Sequence, residues 1–572
     1  MAKRACDGCR RRKVKCDGKS PQCSNCCMSS LNCEYTIPAK KRGPPFRLHK
    51  QNHRRTPETN SNGSLLVTED SSSSAHQESP SVPDCASIEP QESQFLRPSE
   101  EPKWSPFREA QNELMSTLGK ALPYAPLEDV LNTCIDLYMQ WEFPTGPVIC
   151  EPMVRRAVPL VVPILRGETS VPSLSVPGQP TSDVSTIRAF ALLTGLCSFV
   201  SASLNSQVFS SGSVLAWPFL RTSREALRLY QDYDVEHPES SSVIIRYFHS
   251  NALHALGKTR VSWHVMGEAL RLVQEMRLYE EKSFHNLEWP EVHLRRNAFW
   301  HLYIGDKSAS ILNKVPISLH QMCLDTPITT TFDENLVCRL MDSSQDESNI
   351  AFENQLRPGV YLCFRLWYTA SEMLIDLNLL SRLQTRDEGL GTPPVVSDTS
   401  TLRASIMQSY FDFTSILHNC PLWIRDPASA RDNSPNETIA QFRIRSFATQ
   451  KANLFVTFHA LRIALLTRFV ERGFADILGL TNDPAMISLR KVEIASELLD
   501  VVTEIPFEAL LANGEPCVEK LRQVGVALLE IMHSVGSESI STRAKSLFST
   551  LLDILARLNS RVSDELSNDC ES

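Results

Sequence analysis

Six cysteines near the start of this chain form an internal repeat. Cys6, Cys9 and Cys16 are spaced C-x2-C-x6-C, and Cys23, Cys26 and Cys33 repeat that spacing with each residue displaced by 17 positions. Thiolate sulfur is the soft ligand that tetrahedral zinc prefers, and a C-x2-C step lets two sulfurs converge on one ion. Six thiolates fill the eight positions of two four-coordinate ions only if two sulfurs bridge. Such a centre carries a formal charge of about −2, which neighbouring cations offset. So short a segment has no room for an apolar core, so metal must supply most of its folding free energy. Two zinc ions are therefore the expected cofactor. A disulfide framework is a poor alternative, because MAKRACDGCRRRKVKC has no apolar leader stretch and points to a reducing compartment. Cys27 is a rival to Cys26, but its use would change the spacings to x3 and x5 and break the repeat. It is expected to be a bystander or a redox-sensitive neighbour.

Charge is concentrated at the same place. Between Cys9 and Cys16 lie Arg10, Arg11, Arg12, Lys13, Val14 and Lys15. A run of cations is usually a solvated face. Fixed to a rigid metal core it becomes a surface for nucleic acid, since phosphate neutralisation and guanine recognition both use such side chains. The net charge of −8 hides this arrangement: residues 1–55 hold 15 Lys+Arg against 3 Asp+Glu, and the remainder holds 43 against 63. Lys40, Lys41 and Arg42, with further cations to Arg55, extend phosphate contact or serve as a nuclear import signal.

Composition divides the rest. Residues 1–36 form the Cys-rich head and 37–55 a basic, proline-broken tail. Residues 56–112, rich in Ser, Pro and Glu, have too few apolar side chains to repay ordering and are expected to be a disordered linker. Beyond it, helical periodicity dominates. Val265, Ala269, Leu272 and Met276 fall within about 60° of one another on a helical wheel. Pro290 and Glu291 open another helix, on which Leu294, Ala298, Leu302, Ala309 and Leu312 share a face up to Pro316, while Phe299, Trp300 and Tyr303 point elsewhere. Similar runs recur at 401–419, 437–471, 487–512, 515–534 and 541–560. Strand patterns are scarce, so the body is expected to be all-α. The charge-free stretch Ala189 to Leu220 has an apolar half too short and too interrupted for a membrane span, and a buried core helix is expected there.

At CDGCRRRKVKCDGKSPQCSNCCMSSLNC the chain resembles the fungal Zn(II)2Cys6 binuclear-cluster transcription factors, over about residues 6 to 35. The resemblance implies two short helices around two zincs, with the first presented to the major groove of double-stranded DNA at a CGG-type triplet. It implies that Cys6 and Cys23 bridge the metals, that Cys9 and Cys16 complete one site, and that Cys26 and Cys33 complete the other. Lys13, with Arg12 beside it, would read guanines; Arg10 and Lys15 would hold phosphates; Pro21 would shape the loop between halves. Family members often continue into a heptad coiled coil. None is found between 34 and 112, so monomer binding and a homodimer paired through the body both stay open.

The segments GEALRLVQEMRLYEE and LEWPEVHLRRNAFWHLYIGDKSASILNKVPISL resemble the fungal-specific transcription factor domain, with Arg295, Arg296, Phe299, Trp300, Asp306 and Pro316 carrying the match. It covers at least 266–319 and by extension most of a domain assigned to 113–345, with 346–572 a helical continuation. A fainter likeness at PFEALLANGEPCVEKLRQVGVALLEI is to regulators of starch and sugar use. Signatures of enzymes are missing: there is no H-E-x-x-H, G-x-S-x-G or G-x-G-x-x-G. Gly257, Lys258 and Thr259 end a partial P-loop whose first glycine is Ala252, and His264, His285, His293, His301 and His320 lack metal spacing. The sequence therefore points to a nuclear, non-enzymatic transcription regulator, an activator in preference to a repressor. Its partners would be DNA and the transcription machinery or coactivators, the latter through acidic segments at 332–354 and 562–572, and no membrane. A DNA-binding head fused to a metabolite-sensing or enzymatic helical body is the alternative.

Overall fold

Among the described residues, Asp7, Cys9 and the short helix α1 (Ser24–Met28) are the helical parts of an N-terminal unit, Met1–Ser93, and a second unit, Gln94–Ser572, holds the other elements. The structure is a computed structural model. It describes residues 6, 7, 9, 16, 17, 19, 21–28, 33–34, 101–169, 182–320, 324, 326–332, 339–344, 348–390, 396–430, 437–534 and 537–558. Among these, every regular element is helical.

The second unit begins with α2 (Glu101–Ala121), α3 (Leu127–Leu137) and α4 (Glu151–Leu165). In α3, Glu128 and Asp129 sit in the first turn, where the helix dipole favours acids, and Leu127, Val130, Leu131, Cys134 and Ile135 form one buried stripe. A π-helical turn, Tyr138–Glu142, prolongs it. Helix α2 starts inside the segment expected to be linker, a correction to the boundary at 112. Its serines and prolines conceal a stripe of Phe107, Ala110, Leu114 and Leu118 that is buried, and Gln111 donates to the terminal carbonyls of α4, 3.1 Å from Leu165 O.

Helix α5 (Ser182–Ser203) is the axle of the first core. Ile187, Phe190, Ala191, Leu193, Leu196, Cys197 and Val200 are buried on every side, as expected of a helix without a polar face. Helices α4, α6 (Gly212–Glu236) and α7 (Ser240–Ala255) pack around it. Gly195 permits the close approach of α6, since a Cβ there would stand 3.2 Å from Ser223 Oγ. Where α6 ends, fully buried Asp234 accepts hydrogen bonds from Arg188 (3.1 Å), Arg246 (2.6 Å) and the Ser242 hydroxyl (2.6 Å). One carboxylate thus joins three helices. Among the described residues two helices, Val184–Ser203 and Glu437–Glu471, are long and apolar enough to cross a membrane, and both are mostly buried inside the body.

Helices α8 (Thr259–Glu275) and α9 (Glu291–Asn313) follow the expected periodicity, with Val265, Ala269 and Leu272 buried on α8. Helix α9 is buried on several sides, Leu294, Ala298 and Leu302 on one and Phe299, Trp300 and Tyr303 on others, and it stops at Lys314, whose φ is 58°. Gly257 and Lys258 make the turn between α7 and α8, so the partial P-loop is a helix junction. Next come α10 (Ser348–Leu390), α11 (Val396–Ser415), the single turn α12 (Leu422–Arg425) and α13 (Glu437–Glu471).

Helix α13 faces two cores at once. Phe447, Leu454, Leu461 and Leu465 belong to the first, and Ala448, Ala452, Val456, Ala460 and Ile463 to the second. The second core is completed by α14 (Pro484–Glu504), α15 (Phe507–Leu511), α16 (Gly514–Ser534) and α17 (Glu538–Leu558). Asp483 caps α14 by accepting the Ala485 N–H at 3.1 Å, and Pro484 occupies its first position.

Candidate metal centre

The six repeated cysteines converge in space. Cys6, Cys9, Cys23 and Cys26 are fully buried, and Cys16 and Cys33 pack against them half-buried. Their sulfurs fall into two tetrads, Cys6, Cys9, Cys16, Cys23 and Cys6, Cys23, Cys26, Cys33, each with all sulfurs within 4.8 Å of one another. Cys6 and Cys23 are common to both. Sulfur separations are 3.7 Å for Cys6–Cys23 and 3.5 Å for Cys6–Cys26 and Cys9–Cys23. A tetrahedral ion with zinc–sulfur bonds near 2.3 Å requires edges of about 3.8 Å. All six are free thiols. The donor set therefore fits two four-coordinate zincs.

The backbone sets this geometry. The Cys9 N–H donates to Cys6 Sγ at 3.4 Å and the Cys23 N–H to Cys33 Sγ at 3.3 Å, while the Asp7 N–H closes the unit on Glu34 O at 2.8 Å. Hydrogen bonding from the Cys9 N–H holds the Cys6 thiol down at about 6, whereas burial pushes Cys26 up to about 12 and Cys9 higher. Six crowded thiols resist ionising together. Dications among them remove that conflict.

Cys26 and Cys27 separate cleanly. Helix α1 turns Cys26 into the cluster and leaves Cys27 exposed. The signal that sequence reading missed is Asp17, which accepts from the Ser24 N–H at 3.1 Å and the Ser24 hydroxyl at 2.6 Å, and so fixes the start of α1. Those bonds hold the Asp17 carboxyl below the usual range. Pro21 is exposed in the loop between the halves. The expected DNA contacts, Arg10, Arg11, Arg12, Lys13, Lys15, Lys40, Lys41 and Arg42, lie outside the described residues, as does 562–572.

In the body, Arg295, Arg296 and Asp306 each have a separate partner. Arg295 pairs with Glu291 (2.6 Å), and Arg296 pairs with Glu281 (2.7 Å) while lying over the Phe284 ring. Asp306 is fully buried and accepts the Ser318 and Leu319 N–H groups at 2.8 and 3.0 Å. Lys307, which sequence reading passed over, pairs with Asp306 at 3.0 Å and donates to Leu319 O. Together they pin the segment after Pro316 to α9. Part of the acidic segment 332–354 is structural as well: buried Glu353 accepts the Leu340 and Met341 N–H groups, both at 3.0 Å.

Residues 4–42 match the fungal Zn(2)-Cys(6) binuclear cluster domain, and residues 252–442 match the fungal specific transcription factor domain. Individual proteins are similar to this chain over stretches of comparable length to the first match. A maltose fermentation regulatory protein of Saccharomyces cerevisiae is 63% identical over 43 residues, 8% of this chain and 9% of its own length. An ABC-transporter-regulating transcription factor of Aspergillus fumigatus is 55% identical over 42 residues, 7% of this chain and 5% of its own. A citrinin biosynthesis transcriptional activator of Monascus ruber is 49% identical over 41 residues, 7% of this chain and 8% of its own. This chain thus covers less than a tenth of each relative. Paired thiol tetrads and both domain matches lead to one conclusion: the chain carries the two modules of the fungal binuclear-cluster transcription regulators, a domain that binds two zinc ions and, in its helical body, the fungal specific transcription factor domain.

Proposed function

We propose that the chain is a nuclear, sequence-specific DNA-binding regulator of transcription, and not an enzyme, in which Cys6 and Cys23 bridge two zincs. Cys9 and Cys16 complete one metal site and Cys26 and Cys33 the other. The observation that carries this is the pair of thiol tetrads sharing two sulfurs, with five cations lying in sequence between Cys9 and Cys16. A rigid metal core gives those cations a fixed register, which is what base-edge recognition needs and a mobile basic tail lacks. Lys13 and Arg12 read the guanines of a CGG-type triplet; Arg10, Arg11 and Lys15, with Lys40, Lys41 and Arg42, neutralise phosphates. Acidic segments within 332–354 and 562–572 recruit transcription machinery or coactivators, and activation is the direction we assign. Named relatives support activation in one case, the citrinin activator, and sugar metabolism in another, the maltose regulator.

Base and phosphate roles separate in one experiment. Lys13→Ala relaxes discrimination at the guanines by about 1–3 kcal/mol, whereas Arg10→Ala weakens binding to every duplex alike and lowers the salt slope by about one. Binding isotherms on CGG and scrambled duplexes at several salt concentrations read both. Identical behaviour of the two variants contradicts the assignment.

A further inference from the structure

A pocket of about 240 Å³ in the helical body is lined by α9, α10, the turn Glu281–Phe284 and the segment after the π-helical turn. Phe143, Phe284, Trp300, Leu356 and Val360, all buried, form its inner wall with half-buried Phe332, and exposed His285 and Thr331 mark its open side. An apolar cavity of about 150 Å³ holds benzene, so this volume suits one or two rings and falls short of a drug-sized ligand. The wall rings are fixed by neighbours that lie outside the pocket. Trp300 stacks on Phe364, with centroids 5.4 Å apart and planes at 19°, and Phe332 stacks on Tyr361 at 4.5 Å and 11°. The Arg296 guanidinium lies over Phe284 at 4.3 Å, and that of Arg357 over Phe332 at 5.1 Å. A wall held in this way is preorganised, which lowers the ordering cost of binding.

Charge on this wall cancels. Among the described residues it holds two arginines and two glutamates. Arg296 pairs with Glu281 through both ends of its fork, at 2.7 and 3.1 Å, and Glu281 also accepts the Thr329 hydroxyl at 2.5 Å. Glu353 is engaged by the Leu340 and Met341 N–H groups, and Arg357 follows it by one turn of α10. Buried His293 has a partner of its own, and His285 faces solvent. A charged ligand would lose its hydration here and meet no uncompensated opposite charge, whereas an uncharged one avoids that loss. Water is held poorly by apolar walls. One polar atom is left over: Asn297 donates to Pro147 O at 2.7 Å, and no donor among the described residues reaches its Oδ1. A hydroxyl or a ring N–H on the occupant would meet that oxygen. We infer that this pocket binds a small uncharged aromatic compound of one or two rings with a hydroxyl or N–H group, a phenol or an indole. The site stands independently of the DNA-binding assignment.

The test uses the full zinc-loaded chain with indole and p-cresol, and with benzoate and benzylammonium as charged counterparts of similar size. At least one uncharged compound is expected to bind saturably by calorimetry and to raise the melting temperature of the body, and both charged ones to bind at least tenfold more weakly. Val292→Phe places a ring in the pocket from a half-buried wall position, and should weaken binding at least tenfold without lowering the melting temperature. Leu356→Phe takes its place if that variant unfolds. A photolabel needs no substitution: 4-azidophenol irradiated on the parent chain should mark peptides within 281–300 or 353–360, and an excess of the bound compound should suppress the marking. The inference is overturned by the absence of saturable binding, by equal affinity for the charged compounds, by binding that a folded filling variant leaves unchanged, or by label confined to other peptides.

Discussion

Replacing Cys23 with serine is expected to strip both zincs from the chain, although one side chain of six has been changed. Cys23 belongs to both sulfur tetrads, so its loss leaves each ion three-coordinate at once. In a unit whose buried apolar cluster is the cysteines themselves, metal affinity and folding are the same free energy, about 10–16 kcal/mol per structural zinc. Native mass spectrometry should record two zincs on the parent and none on Cys23→Ser or Cys6→Ser. Cys16→Ser removes a donor from one tetrad only and should retain one ion. Cys27→Ser, altering an exposed thiol, should retain two. Two zincs on Cys23→Ser would refute bridging.

The second large effect lies in the body. Asp234→Ala leaves Arg246, with 2% of its side chain exposed, and Arg188, with 8%, facing one another's positive charge without the carboxylate between them. Removing one partner of a buried ion cluster costs about 3–5 kcal/mol, because the remaining charges stay desolvated. Urea denaturation followed by helical circular dichroism should show that loss. The double variant Asp234→Leu with Arg246→Met should recover part of it, since an apolar pair of similar volume avoids the uncompensated charge. A single variant as stable as the parent would show that Glu239 and Glu268, which approach Arg188 and Arg246 from the solvent side, already suffice.

How much of this is legible in the sequence depends on the kind of signal. Cysteine spacing is a local constraint, and by itself it groups the six sulfurs and sets Cys26 apart from Cys27. Helical periodicity works where one face is apolar, as on α8. It is less informative for α2, whose stripe from Phe107 to Leu118 is interleaved with polar residues and prolines. For α13 the run is visible but its role is not, because a helix apolar on two faces gives no hint that each face serves a separate core. Charges are the least legible. Asp306 stands out by its pattern, yet its work is to hold two backbone N–H groups twelve or more residues away, alongside a buried Lys307 that carries no sequence signature.

A two-zinc head of this kind should read sequence and not charge alone. Fluorescence anisotropy of the zinc-loaded chain on a CGG-containing duplex, against the same duplex with the triplet scrambled and again after zinc is chelated, tests it most directly. Binding to the CGG duplex should be tighter by about 1–3 kcal/mol for each guanine that scrambling displaces, and chelation should abolish that preference while leaving a weak, salt-sensitive association. Equal affinity for the two duplexes, or a preference that survives chelation, would contradict it.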